Sequence, residues 1–133
     1  MAFKWKVSHP QRLIVAVSRY EVTAADVLFC AEEFFKVGLN DYRKLFDLTR
    51  LGRAMSPIDI HSVGRRLAAA AHGKRFGPVA IVVASDAMAG SAAIVQRAVT
   101  DREVQIFRDR YVARVWLDVT APADQISQAQ APR

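Results

Sequence analysis

Residues with reactive side chains are few and scattered in this chain of 133 residues. The three histidines, His9, His61 and His72, lack the spacing of metal ligands. His61 and His72 are eleven positions apart, which on one helix is about 16 Å, so they cannot share a metal ion. The only cysteine, Cys30, lies in a helical pattern with no histidine beside it, which favours a buried structural thiol.

Sequence motifs of enzymes are also missing. The chain has no Gly-x-Gly-x-x-Gly or Walker-type phosphate loop, and no Gly-x-Ser-x-Gly nucleophile elbow. Glu32 and Glu33 are adjacent, so on a helix their carboxylates point in different directions and do not form a catalytic pair. The sequence therefore predicts a protein that is not an enzyme and that needs neither a cofactor nor a metal ion.

Ser56 is the polar residue with the most informative surroundings. It directly precedes Pro57 at the start of a helical pattern, which is typical of a helix N-cap. A phosphate on Ser56 would meet the free amides of that helix end and the nearby Arg50 and Arg53. Ser56 is thus a candidate for a phosphorylation site or for an N-cap alone.

Basic residues are concentrated around this serine. Residues 41–80 carry eight basic and three acidic side chains, whereas the formal net charge of the whole chain is +6. On the second predicted helix Ile58, His61 and Arg65 are predicted to face outward, beside Arg50 and Arg53 of the preceding loop. Such a surface suits an anion or an acidic protein partner, and the alternative is an ordinary solvated face.

Phe29 is an apolar residue on the polar side of the first predicted helix, near Glu32, Glu33 and Lys36. It is a candidate contact for a protein partner or for a second copy of the chain in a homodimer. The alternative is that one exposed phenylalanine has no role, because single apolar side chains are common on protein surfaces.

Hydrophobic periodicity predicts the elements that hold these residues. Alternation and β-branched runs favour strands at Phe3–Val7, Arg12–Val17, Tyr42–Leu48, Val79–Val83 and Glu103–Phe107. Helices are predicted to begin after four capping residues, Thr23, Ser56, Ser85 and Asp109, the first ending at Gly38 and the second at Gly73. In the last helix, Val112, Ala113, Trp116 and Leu117 are predicted to face inward.

The element order is ββαβαβαβα, which predicts an α/β fold. We expect a mainly parallel sheet of four or five strands, an antiparallel N-terminal strand, and helices packed on the sheet. Residues 1–118 form one predicted domain. Residues 119–133 contain almost no large apolar side chain and are predicted to be a disordered tail.

Composition limits the expected cellular location of the protein and the classes of partner that it is expected to bind. Apolar residues make up 52% and charged residues 24%, which is typical of a globular protein. The apolar runs are too short to span a bilayer and no signal peptide is visible, so we expect a cytoplasmic protein without membrane insertion. The basic residues lack interleaved aromatic side chains, so nucleic acid is not an expected partner.

This layout resembles the SpoIIAA-like branch of the STAS superfamily, whose members include anti-sigma factor antagonists and STAS/SEC14-like proteins. The resemblance covers residues 3–118 and includes the strand end Phe46-Asp47-Leu48, the serine-started helix and the closing Arg114-Val115-Trp116-Leu117 segment. It implies a non-catalytic regulatory protein that binds other proteins. In the antagonists a partner kinase phosphorylates a serine at the start of the second helix, the position that Ser56 occupies here. The family has an Asp-Ser pair there, and this chain has Met55-Ser56-Pro57-Ile58.

The SEC14-like label implies an alternative function, a carrier or sensor of a small anion or lipid. Such a ligand needs a pocket between the sheet and the second or third helix. The alanine-rich stretches Ala68–Ala71 and Ala87–Ala93 either leave room for a ligand or let the helices approach closely. The sequence leaves both possibilities open.

Overall fold

The computed structural model describes residues 2–70 and 75–120. In this part of the chain the elements are β1 (Phe3–Ser8), β2 (Leu13–Ser18), α1 (Ala24–Lys36), β3 (Arg43–Asp47), α2 (Pro57–Ala69), β4 (Val79–Val82), α3 (Asp86–Ala98), β5 (Val104–Phe107) and α4 (Arg110–Val119). The predicted α/β class and the order ββαβαβαβα are confirmed. The predicted end of α2 at Gly73, His72 and residues 121–133 of the predicted tail lie outside the described residues.

All five strands belong to one sheet, in the order β1-β2-β3-β4-β5. β1 is antiparallel to β2, with Trp5 opposite Ala16. The other neighbours are parallel, so that Leu45 of β3 lies between Val15 of β2 and Ala80 of β4. Each strand is thus placed next to the strand that precedes it in the sequence.

This order decides which face of the sheet each helix covers. The three β-α-β connections step across the sheet in the same direction, and right-handed connections of that kind place their helices on one face. Accordingly α1, α2 and α3 form one layer, in which α2 packs against both neighbours. α4 follows the last strand and packs on the opposite face against β3, β4 and β5.

Helix starts follow the predicted caps. The side-chain oxygens of the capping residues accept hydrogen bonds from backbone amides three residues later: Thr23 from Asp26 (3.2 Å), Ser56 from Asp59 (3.2 Å), Ser85 from Met88 (3.2 Å) and Asp109 from Val112 (3.1 Å). At Thr23 the Asp26 carboxylate accepts from the Thr23 amide in return, which completes a capping box. All four predicted caps are confirmed.

Two expectations about α4 are wrong. Val112 is 51% exposed, because the side of α4 that meets the sheet is centred on Ala113 and Leu117, both fully buried, one turn apart. Val119, predicted as the first residue of the tail, is the last residue of α4. The helix continues to this point because Thr120 caps it, with its amide donating to Trp116 O (3.0 Å) and its hydroxyl to Leu117 O (2.9 Å).

A buried arginine fastens α4 to the sheet. Arg43 in β3 is only 6% exposed. Its guanidinium donates to the backbone oxygens of Leu117 (2.8 Å) and Gln11 (2.6 Å), and it lies 3.5 Å from the Asp118 carboxylate. The carbonyl of Leu117 belongs to the last turn of α4, where intrahelical donors are missing, so Arg43 satisfies a helix end as well as joining two layers.

We predict that Arg43→Met lowers the free energy of unfolding by about 2–4 kcal/mol, because it removes charge-assisted hydrogen bonds to buried carbonyls. Urea denaturation measures this loss. The matched control is Arg108→Met, which removes an exposed arginine from its 2.7 Å pair with Asp86 and is expected to change stability by less than about 1 kcal/mol. Equal effects of the two substitutions would contradict the role given to Arg43.

Candidate functional site

A cavity of about 170 Å³ lies between the sheet and the layer formed by α1, α2 and α3. Its floor is the sheet, with Phe46, Ile81 and Val104 among the lining side chains. Its roof comes from all three helices and includes Val63 of α2 and Ala92 of α3. The lining is almost entirely apolar, so the cavity favours apolar groups over water.

The three helices above the cavity pack closely against one another. Gly64 of α2 allows the backbone of α2 to approach α3: a Cβ atom at this position would lie 2.8 Å from the Cβ of Ala98. Small side chains of the roof, Ala31, Ser91 and Ala92, then leave the space below them unfilled. Within the stretch Ala87–Ala93, Ala92 lines the cavity, whereas the close approach of α2 to α3 occurs further along α3, at Ala98.

The cavity runs parallel to the strands, from the amino ends of the parallel strands to their carboxyl ends. At the carboxyl edge of the parallel strands it is bounded by Leu48, and by Leu51 and Met55 of the following loop. At the amino edge it is bounded by Lys44 near the start of β3 and by Arg102, which precedes β5. One end is thus apolar and the other carries basic groups.

Lys44 is a buried amine at this basic end. The residue is 6% exposed, and Nζ donates to the backbone oxygens of Asn40 (2.9 Å) and Tyr42 (2.9 Å). Burial lowers the pKa of Lys44 to about 7, and the positive charge of Arg102 contributes to the lowering. Asp41 and Cys30 oppose it, but the Asp41 carboxylate is already ion-paired with Arg12.

Cys30 also lines the cavity and is 2% exposed. Burial raises the pKa of its thiol to about 12, against a smaller opposing effect of Lys44. At neutral pH the thiol is therefore uncharged and a poor nucleophile. The prediction that Cys30 is buried is confirmed, and its sulfur serves as part of the apolar wall.

The side chains that the sequence singled out lie elsewhere, on the outside of the helix layer and in the loop before α2. Ser56 caps α2, as described above. The other predicted surface residues are all exposed: Arg50, Arg53, Ile58, His61 and Arg65. Ile58 is 80% exposed, and Phe29 on the neighbouring helix α1 is 51% exposed.

The structure brings some of these residues together and leaves others apart. Ile58, His61 and Arg65 follow one another at helical spacing on the outward side of α2, and the loop with Arg50 and Arg53 leads directly into that helix. Among the described residues, none of these three arginines forms an ion pair. Phe29 is on α1, so it shares the helix layer with Ile58 but not the helix.

Sequence reasoning overlooked Lys44. The signal was present, because Lys44, Phe46 and Leu48 alternate with Arg43, Leu45 and Asp47 in a strand that has helices on both sides. A lysine at such a position is buried whichever face it takes. The strand pattern could not show that a cavity lies next to Lys44, because the cavity also depends on the positions of the helices.

Comparison with known proteins gives no relative: no family model, no curated protein and no solved structure matches the chain. Within residues 2–70 and 75–120, no helix combines the length and the apolar character needed to cross a membrane. In the same residues no group of three or more His, Cys, Asp or Glu side chains is arranged to hold a metal ion. The candidate sites therefore rest on the geometry of the cavity and of the surface.

The pKa of Lys44 predicts how stability depends on pH. The unfolded chain keeps this amine protonated to about pH 10.5, whereas the folded chain releases the proton from about pH 7. The unfolded state therefore binds more protons above pH 7, so stability rises with pH, with a slope that approaches about 1.4 kcal/mol per pH unit. Above pH 8.5 the cysteine opposes this, because only the unfolded thiol ionises.

We expect urea denaturation between pH 7.0 and 8.5 to show this rise for the wild-type protein and for the control Lys6→Met, which alters an exposed lysine of β1. In Lys44→Met the contribution is absent, so its curve is flatter by the same amount. Parallel curves for Lys44→Met and the wild type would show that the buried amine titrates as an ordinary lysine.

Proposed function

We propose that this protein is a non-catalytic binding protein of the cytoplasm that holds a small apolar ligand between its sheet and the helices α1–α3, as a carrier or a sensor. The observation that carries the proposal is the apolar cavity of about 170 Å³. Natural protein interiors are close-packed, with few voids larger than a water molecule, so a space of this size in a chain of this length requires a reason.

The size of the cavity indicates the size of the ligand. An engineered apolar cavity of about 150 Å³ in another protein stays dry and binds benzene. The space here is thus suited to a single ring or a short hydrocarbon chain. Met55 and Met88 line it, and their flexible side chains can adjust to ligands of different shape.

A second candidate function is the binding of an acidic protein partner at the outside of α2, and the exposure of Ile58 favours it. The Ile58 side chain is 80% exposed, and three arginines and one histidine near it are exposed as well. Such a surface can bind an acidic partner through both apolar and electrostatic contacts. This is the regulatory role that the resemblance to SpoIIAA-like STAS proteins implies, with Ser56 as the candidate for phosphorylation. The two functions are compatible, because a ligand beneath α2 and a partner above it contact opposite sides of the same helix.

Binding of an uncharged probe tests the cavity. We expect 1-octanol to raise the melting temperature of the wild-type protein and to shift amide resonances of α2, α3 and β4 in a heteronuclear NMR titration. Ala92→Leu places a larger side chain in the cavity and is expected to weaken 1-octanol binding at least tenfold. The control is Ala87→Leu, on the exposed side of the same helix. The proposal is wrong if 1-octanol does not bind, or binds both variants like the wild type.

Substitution of the exposed apolar residues tests the partner surface. We expect Ile58→Asp and Phe29→Ser to reduce association, with a partner or with a second copy, while changing the free energy of unfolding by less than about 1 kcal/mol. Native mass spectrometry of the protein purified gently from its own cells reports association and any phosphate on Ser56. Unchanged association in both variants would remove this surface as a binding site.

A further inference from the structure

We propose that the ligand is an amphipathic monocarboxylate, whose hydrocarbon part occupies the cavity and whose carboxylate binds the ammonium group of Lys44. This inference rests on the proposed function, since it names the chemical class of the ligand for the same cavity. It is carried by three observations: the polarity of the two cavity ends, the hydrogen-bonding state of the Lys44 amine, and the pairing of the neighbouring charges.

The two ends of the cavity differ in polarity, which gives a ligand an orientation. At the amino edge of the parallel strands the polar lining residues are Asn40, Lys44 and Arg102. The Asn40 side-chain amide is already bonded to the backbone oxygen of Arg75 (2.8 Å). A ligand with one polar group is thus expected to place that group near Lys44 or Arg102, with its apolar part toward Leu51 and Met55.

Of these two basic residues, Arg102 already has its own partners. Its guanidinium donates to the Asp101 carboxylate at 3.1 and 3.3 Å and lies over the ring of Phe76, 3.8 Å from the ring centre. Lys44, in contrast, makes no ion pair with any described carboxylate. The carboxylate of Asp41, which is the acidic group that acts on it, is paired with Arg12.

The Lys44 amine has hydrogen-bonding capacity left. An ammonium group has three N–H donors, and the backbone oxygens of Asn40 and Tyr42 accept two of them. Among the described residues the third donor has no acceptor and the charge has no ion-pair partner, so both are available to an oxygen anion. Since a buried charge without a partner is unfavourable, an anion that enters the cavity is favoured by more than its apolar contacts alone.

The charge of the site limits the type of anion. One unpaired ammonium group balances one negative charge, as in a carboxylate. A phosphate monoester carries about two negative charges at neutral pH and would place an unbalanced charge against apolar walls. An alcohol of the same length would gain the apolar contacts but no ion pair. The cavity is therefore expected to prefer a monocarboxylate to both.

Binding of such an anion is linked to protonation of Lys44. The groups that act on this amine are Arg102 before β5, which lowers its pKa, and Asp41 before β3 and Cys30 of α1, which raise it. Without ligand its pKa is about 7, and a bound carboxylate keeps the proton on. The affinity for a carboxylate is therefore expected to be about tenfold weaker at pH 8 than at pH 6.

Isothermal titration calorimetry with octanoate and 1-octanol, probes of equal chain length, tests the inference. At pH 6 we expect the wild-type protein to bind octanoate at least tenfold more tightly than 1-octanol. Lys44→Met is expected to lose this preference, with its 1-octanol affinity unchanged within about threefold. The control Lys6→Met removes an exposed lysine of β1 and should behave like the wild type.

The outcomes separate this inference from the proposed function. If 1-octanol binds in the cavity and octanoate binds no more tightly, or if Lys44→Met keeps the octanoate preference, the monocarboxylate inference is wrong and the apolar site remains. If 1-octanol does not bind the wild-type protein at either pH, the proposed function is wrong, and the inference fails with it. An octanoate affinity that does not fall between pH 6 and pH 8 would contradict the ion pair with Lys44.

Discussion

The handedness of the β-α-β connections is the constraint on which the rest of this structure depends. Since β2 to β5 lie in sequence order, right-handed connections put α1, α2 and α3 side by side on one face. The middle helix then packs against a helix on each side, and Gly64 allows its close approach to Ala98 of α3. The cavity lies between this helix layer and the sheet.

Among the described elements, α4 is the one that covers the opposite face. Its centre is apolar, with Leu45, Ala80 and Val82 against Ala113 and Leu117. Around this centre, three polar contacts also join α4 to the sheet and to the loop before β2. These contacts are Arg43 with Leu117 O, Arg110 with Asp47 (3.2 Å) and Arg114 with Gln11 (2.8 Å). Arg43 and Asp47 of β3 thus hold α4 on one face of the sheet. Lys44 of the same strand lines the cavity on the other face.

Local sequence signals predicted the fold well because each of them depends on nearby residues. The caps at Thr23, Ser56, Ser85 and Asp109 and the β-branched run at Val79 required no knowledge of the tertiary structure. The orientation of Val112 was missed because adjacent apolar residues on a helix cannot all face inward. The cavity and the environment of Lys44 could not be predicted, since the residues that line the cavity come from strands, helices and loops that are remote in sequence.

Intermolecular nuclear Overhauser effects test most directly whether the space between the sheet and α1–α3 is a ligand site. The measurement uses methyl-labelled protein with unlabelled 1-octanol. We predict effects between the hydrocarbon protons and the methyl groups of Ile81, Met88 and Val95, which line the cavity. Effects confined to Val112, Val115 and Val119, which are exposed on α4, would place the probe on the surface and contradict the account.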